Sequence, residues 1–190
     1  TGMTDLAATY TLPGDIWLSD NSWTHPTWTV ADLVAAKHGR TISVVLPALN
    51  EEETVGSVVE TISPLLGSLV DELIVLDSGS TDDTDIRAIA AGARVVSREQ
   101  ALPEVEPLPG KGEVLWRSRA ATTGDIVVFV DSDLIDPDPM FVPRLVGPLL
   151  TGVGVHLVKG FYRRPLKSAR GEDAHGGGRV TELVARPLLA

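Results

Sequence analysis

The feature that most constrains the fold is Ile126-Val127-Val128-Phe129-Val130, a continuous apolar run cut off by Asp131-Ser132-Asp133. Apolar residues without polar alternation are the signature of a strand covered on both faces, as in a parallel sheet flanked by helices. This run is therefore read as a central strand. It opens at its carboxyl end onto two carboxylates.

The rest of the chain supplies the partners such a sheet needs. Residues 1–40 carry Pro13, Gly14, Pro26 and three of the four tryptophans, Trp17, Trp23 and Trp28, and are read as an irregular N-terminal arm packing its aromatics on the body. From Thr41 strands and helices alternate. Ile42 to Leu46 is a β-branched strand ended by Pro47. Asn50 is placed as the N-cap of the next helix, with Glu53 in capping-box position, and Val55, Val58, Val59 and Ile62 follow at helical spacing. Leu73 to Leu76 is a second strand. Asp77 to Thr84 is a turn in which Ser80 or Thr81 can cap a helix ending at Gly92, and Arg94 to Ser97 is a third strand. A proline-rich loop over 99–110 precedes a helix from about Gly112 to Ala121. Another helix follows Pro139, a strand is expected near His156 to Phe161, and Gly176-Gly177-Gly178 leads into a helix-like stretch from Val180 to Ala190. The division is an arm over 1–40, an α/β domain over 41–160 and a further region from 161 to 190.

Ligands of such sheets gather beyond the carboxyl ends of the strands. Three polar clusters fall there: Pro47 to Glu51, Asp77 to Ser80, and Asp131 to Asp133. Residues i and i+2 of an extended chain face the same way, about 6.6 Å apart. Asp131 and Asp133 are so placed to serve one hard cation and a neighbouring polar group, with magnesium or manganese completing its shell from substrate phosphates. The plain alternative is an acidic turn. Backbone amides at Pro47-Ala48-Leu49-Asn50-Glu51 could read a base edge, with Glu51 accepting a hydrogen bond, although helix capping also explains Asn50 and Glu53. Gly110-Lys111-Gly112 offers close backbone approach and a point charge for a diphosphate. It lacks the spacing of a Walker loop. Gly176 to Glu182, with Arg179 and Thr181, suits a phosphate or carboxylate at a helix start, or else a flexible linker.

Composition narrows the chemistry. A net charge of −10 argues against nucleic acid as a partner. Seven Lys/Arg against three acids from Lys159 onward suit a small anion. The absence of cysteine excludes thiolate nucleophiles and Cys–zinc sites. With no Lys or Arg before Lys37 and no apolar run near ~20 residues, neither a signal peptide nor a membrane span is expected, and the location expected is cytoplasmic.

Val44-Val45-Leu46-Pro47-Ala48-Leu49-Asn50-Glu51-Glu52, Asp77 to Thr84 and Asp131-Ser132-Asp133 together resemble the donor-site series of GT-A glycosyltransferases. Gly110 to Ser118 and Gly177 to Pro187 narrow the resemblance to the glucosyl-3-phosphoglycerate synthases of mycobacteria and relatives, over nearly the whole chain. The resemblance implies a GT-A, Rossmann-like, mostly parallel sheet flanked by helices, and a retaining, metal-dependent transfer of glucose from UDP-glucose to 3-phosphoglycerate. By the same resemblance, 41–160 is the nucleotide-sugar-binding GT-A domain, 161–190 is the start of the acceptor-binding region, and the product would be glucosyl-3-phosphoglycerate, an early precursor of methylglucose lipopolysaccharides. It further implies that Pro47, Ala48, Leu49, Glu51 and Ser78 hold the uridine, and that Lys111 reaches the diphosphate or sugar. Asp131 and Ser132 contact the donor, Asp133 ligates Mg2+ or Mn2+, and Gly178, Arg179 and Thr181 receive the phosphoglycerate. Lys111 and Asp131 are the catalytic candidates. Family members are homodimers and continue past the position of Ala190, where they supply a metal-binding histidine. None of His25, His38, His156 and His175 is in a matching position, and none is assigned as a ligand.

No nucleophile sits at an equivalent place, so front-face attack by the acceptor hydroxyl is favoured over a covalent sugar adduct. Three other readings compete: a GT-A transferase acting on a polyprenyl phosphate, a phosphate-signalling receiver module, and a non-catalytic nucleotide-binding fragment.

Overall fold

A computed structural model describes Trp17, residues 19–24 and 26–160, and the backbone of two short strands beyond them. The chain divides into two compact units, 1–156 and 157–190. In the first, a four-stranded sheet contains β1 (Ile42–Ala48), β2 (Glu72–Asp77), β3 (Arg94–Ser97) and β4 (Ile126–Phe129), in the order β3-β2-β1-β4 and parallel throughout. The helices are α1 (Val30–Ala36), α2 (Val55–Ile62), α3 (Thr84–Ala90), α4 (Arg98–Ala101), α5 (Lys111–Ala121) and α6 (Phe141–Thr151). In the second unit, β5 (Leu166–Ser168) and β6 (Gly171–Asp173) form an antiparallel pair.

Alternation along the strands sorts the core into two layers. Val44 and Leu46 pack with Leu33, Val55, Val58, Val59, Ala88, Val142 and Val146, which places α1, α2, α3 and α6 on one face. Val45, Ile74 and Leu76 point the other way, against Val96, Ala101 and Val114 of β3, α4 and α5. Both faces of β1 are thereby covered, and β1 and β2 are the two interior strands among the described residues. That corrects the placement of Ile126 to Val130. β4 pairs only with β1 among the described residues, and Phe129 is 38% exposed. An apolar run reports covering side chains above and below a strand, not neighbours beside it.

Several local expectations are also corrected. β1 does not stop at Pro47 but runs through it to Ala48. Proline lacks an N–H, and Pro47 lies beyond the last β1–β4 pair, Val45 with Phe129, so no ladder bond is forfeited. Residues 1–40 are not wholly irregular. Thr29 and Asp32 form a capping box that starts α1, and Trp28 lies against Gly147 of α6, whereas Trp17 and Trp23 are exposed. Asn50 does not cap α2. Its φ is +57°, and the helix begins after Thr54. Ser80 and Thr81 do not cap α3, which starts after Asp83. Residues 155–160 hold no strand, and Phe161 lies outside the described residues.

Candidate functional site

The loops leaving β1, β2 and β4 meet at the carboxyl rim, and each is held to its neighbour by a specific bond. Ser78 N–H donates to Ala48 O at 2.9 Å, joining the β2 loop to the β1 end. The Ser132 hydroxyl donates to Pro47 O at 2.6 Å, using the carbonyl left without a strand partner where the β4 ladder ends. Ser132 is 4% exposed, and the bond itself is part-buried.

The first two loops are cross-braced more heavily. Asn50 N–H donates to Ser80 Oγ at 2.9 Å, and Asn50 Oδ1 accepts from Thr81 N–H at 2.8 Å. Glu51 N–H donates to Thr84 Oγ1 at 2.8 Å. Asp83 N–H donates to the Glu52 carboxylate at 2.9 Å. Asp77 accepts from Gly79 N–H and Ser80 N–H and from the Ser80 hydroxyl, folding the loop back on itself. Gly79, at φ +95°, makes that turn possible. Asp82 takes the Thr84 hydroxyl and amide and the Glu52 amide, and these bonds hold its carboxyl below the usual carboxylate value. Asn50, which reads as a helix cap, thus serves a loop-to-loop latch.

Between these loops and the start of α5 lies a cleft of about 350 Å³, lined by Pro47, Ala48, Leu49, Glu51 and Ser78 on one side and by Asp131, Ser132 and Asp133 on another. Leu108, Pro109, Gly110 and Val114 close the third. The volume lies in the range that holds small ligands, roughly 300–1,000 Å³. Every donor-site candidate whose side chain is described lines this one cleft. Lys111 opens α5 directly after Gly110, whose φ of +126° turns the chain into the helix; its side chain lies outside the described atoms. Gly178, Arg179 and Thr181 lie outside the described residues.

Arg98 also lines the cleft and was missed from sequence. It follows directly on β3, so the rule that placed the other three clusters at strand ends would have found it. A single arginine carries no spacing pattern to draw attention. Its guanidinium stands beside Gly79 and bonds Glu99 at 2.9 Å.

Asp131 is partly buried and Asp133 exposed, both on the same wall. No group of three or more His, Cys, Asp or Glu that could hold a metal occurs among the described residues. Two carboxylates suit magnesium or manganese, which keep few protein ligands and fill the remaining positions from phosphate and water. The donor set thus fits a cation bound together with a diphosphate.

The model of the family Glycosyl transferase family 2 matches residues 43–173. The chain belongs to this family. Its sheet and helices have the GT-A arrangement. Among family relatives, the glucosyl-3-phosphoglycerate synthase of Mycolicibacterium smegmatis is 82% identical over 177 residues, covering 93% of this chain and 58% of the relative. That of Mycobacterium tuberculosis H37Rv is 72% identical over 181 residues, covering 94% and 56%. A crystal structure of the M. tuberculosis synthase in complex with Mn2+, UDP and glucosyl-3-phosphoglycerate superposes with a TM-score of 0.79 at 71% identity, over 90% of this chain and 57% of that one. Another, with Mn2+, UDP-glucose and phosphoglyceric acid, matches at 72% identity and the same TM-score. The chain spans a little over half the length of these relatives.

Proposed function

We propose that this chain carries the donor half of a glucosyl-3-phosphoglycerate synthase, transferring glucose from UDP-glucose to the hydroxyl of 3-phosphoglycerate. The observation that carries the reading is the convergence of Pro47, Ala48, Leu49, Glu51 and Ser78 with Asp131, Ser132 and Asp133 in one cleft at the sheet rim. Relatives at 71–72% identity hold UDP or UDP-glucose, Mn2+ and phosphoglyceric acid or its glucosyl product.

In this reading the latched β1 and β2 loops form a preset slot for uridine, with Glu51 accepting from the ribose or base. The diphosphate runs toward Asp131 to Asp133 and the amino end of α5, where Lys111 and the open amides after Gly110 face developing negative charge. Asp133, with Asp131 beside it, would hold a divalent cation, which when bound supplies charge neutralisation to the departing diphosphate. Asp131 orients the sugar, and Ser132 keeps the two carboxylates in register with β1. Gly178, Arg179 and Thr181 receive the phosphate and carboxylate of the acceptor. Front-face attack with retention, a homodimeric cytoplasmic protein and a role upstream of methylglucose lipopolysaccharides complete the proposal.

Incubation with UDP-glucose, 3-phosphoglycerate and Mn2+ tests it. Release of UDP that depends on both acceptor and metal is the expected result. Binding of UDP-glucose without turnover would leave a nucleotide-sugar-binding module in place of an enzyme, and no binding at all would reject the donor reading.

A further inference from the structure

Arg117 is wholly buried, and it is the only charged residue in that state among those described. Each of its three guanidinium nitrogens donates, through four hydrogen bonds in all. Nε donates to the Glu113 carboxylate, Nη1 to Arg98 O and Leu102 O at 2.9 Å each, and Nη2 to Val105 O at 2.6 Å. Sinking a guanidinium into a protein is costly unless it is paired and hydrogen-bonded, and packing α5 against α4 would need nothing more than apolar side chains.

What this cation secures is a single segment. α4 is only four residues long, and the chain beyond it turns back through Val105 N–H to Leu102 O at 3.3 Å, leaving carbonyls along and after it able to accept a further bond. Arg117 collects three of them at one point. The same segment lines the cleft at Arg98, continues through Leu108 and Pro109, and re-enters α5 at Gly110. Glu113 lies in the first turn of α5, so one planar fork grips both the loop and the helix start to which the loop leads. The opposite wall of the cleft is held by the Asn50, Ser80 and Thr81 bonds, which do not involve Arg117.

We propose that Arg117 is a positioning residue that sets the wall facing the donor diphosphate, independently of the wall facing the nucleobase. The inference rests on the donor reading given above. Lysine at this position keeps the charge beside Glu113, but as a point donor it cannot span three carbonyls.

The test compares uridine and UDP binding by calorimetry, with Mn2+ present, in the chain and in Arg117→Lys. The expected result is uridine affinity unchanged within about twofold and UDP affinity weakened about tenfold, the equivalent of one lost charge-assisted contact. A purely structural role would lower the binding stoichiometry and leave both affinities of the folded fraction unchanged, and that outcome overturns the proposal. So does an equal loss for both ligands. Amide exchange on the unsubstituted chain covers the case in which the variant misfolds. Residues 98–110 should be protected without ligand, and exchange at the rate of an open loop contradicts a preset wall. If the unsubstituted chain binds no UDP, the donor reading fails by itself. Faster exchange confined to 98–110 in Arg117→Lys then still supports Arg117 as the residue that sets this wall, and uniform exchange removes it.

Discussion

Ser132 and Asp133 are adjacent, yet one is buried with its hydroxyl on Pro47 O and the other is exposed on the cleft wall. Their substitution should separate stability from binding. Asp133 is exposed, so the unfolding free energy of Asp133→Ala should stay within about 0.5 kcal/mol of the parent, while calorimetry should show metal-dependent UDP binding abolished. Undiminished affinity would remove the residue from the metal site. Ser132→Ala removes the bond to the part-buried Pro47 carbonyl and should cost about 1 kcal/mol in urea unfolding. An unchanged midpoint would show that the hydroxyl does not tie the two strand ends. The acidic pair could be read from sequence because charge at the end of an apolar strand demands a partner. Asn50 could not: the same letters suit a helix cap or a left-handed latch, and only the Ser80 and Thr81 contacts, about thirty positions away, decide between them.

At the scale of elements, short apolar runs located β1 and β2, helical spacing located the helix through Val55, Val58, Val59 and Ile62, and β3, the helix from about 112 to 121 and the helix after Pro139 fell where expected. Such patterns failed where lateral or long-range contact sets the outcome. β4 looks central because its residues are apolar, although it pairs on one side only among the described residues. α1 was missed inside a segment that proline, glycine and tryptophan made look irregular, because it is short and depends on the Thr29–Asp32 box and on contact with α6. That contact is tight: a Cβ on Gly147 would fall 2.3 Å from the Trp28 ring. Gly147→Ala should therefore push Trp28 off α6 and destabilise the fold by about 1–3 kcal/mol. Equilibrium unfolding followed by fluorescence checks this, and a neutral result would mean that α1 is held elsewhere.

Across the first unit, the end of the sheet opposite the cleft is gathered by Glu72. Its carboxylate accepts from the Ser43 hydroxyl at 2.5 Å, Thr123 N–H at 2.6 Å and Arg94 at 3.1 Å, joining β2 to β1, to β3 and to the turn before β4. Burial alone would raise the carboxyl pKa, but bonds from Ser43, Thr123 and Arg94 outweigh it and hold the group below its ordinary 4.5. Because the folded value is the lower one, the stabilisation is complete above the unfolded value of about 4.5 and is lost as pH falls through the folded value. Glu72→Gln should lower the melting temperature at neutral pH and flatten its decline below about pH 4.5. A decline as steep as the parent's would assign acid sensitivity to other carboxylates. No sequence pattern marks Glu72, since its partners come from three separate segments. The cleft at the far end was legible because parallel topology fixes where ligands gather, whatever the side-chain detail.

Diffraction at the manganese absorption edge, from crystals grown with UDP and Mn2+, tests most directly whether three strand ends and the start of α5 form one donor site. The expected result is an anomalous peak about 2.0–2.3 Å from an Asp133 carboxylate oxygen, touching the diphosphate, with uracil between the Pro47–Leu49 strand end and Ser78. A peak remote from Asp133, or uridine outside that slot, would contradict it.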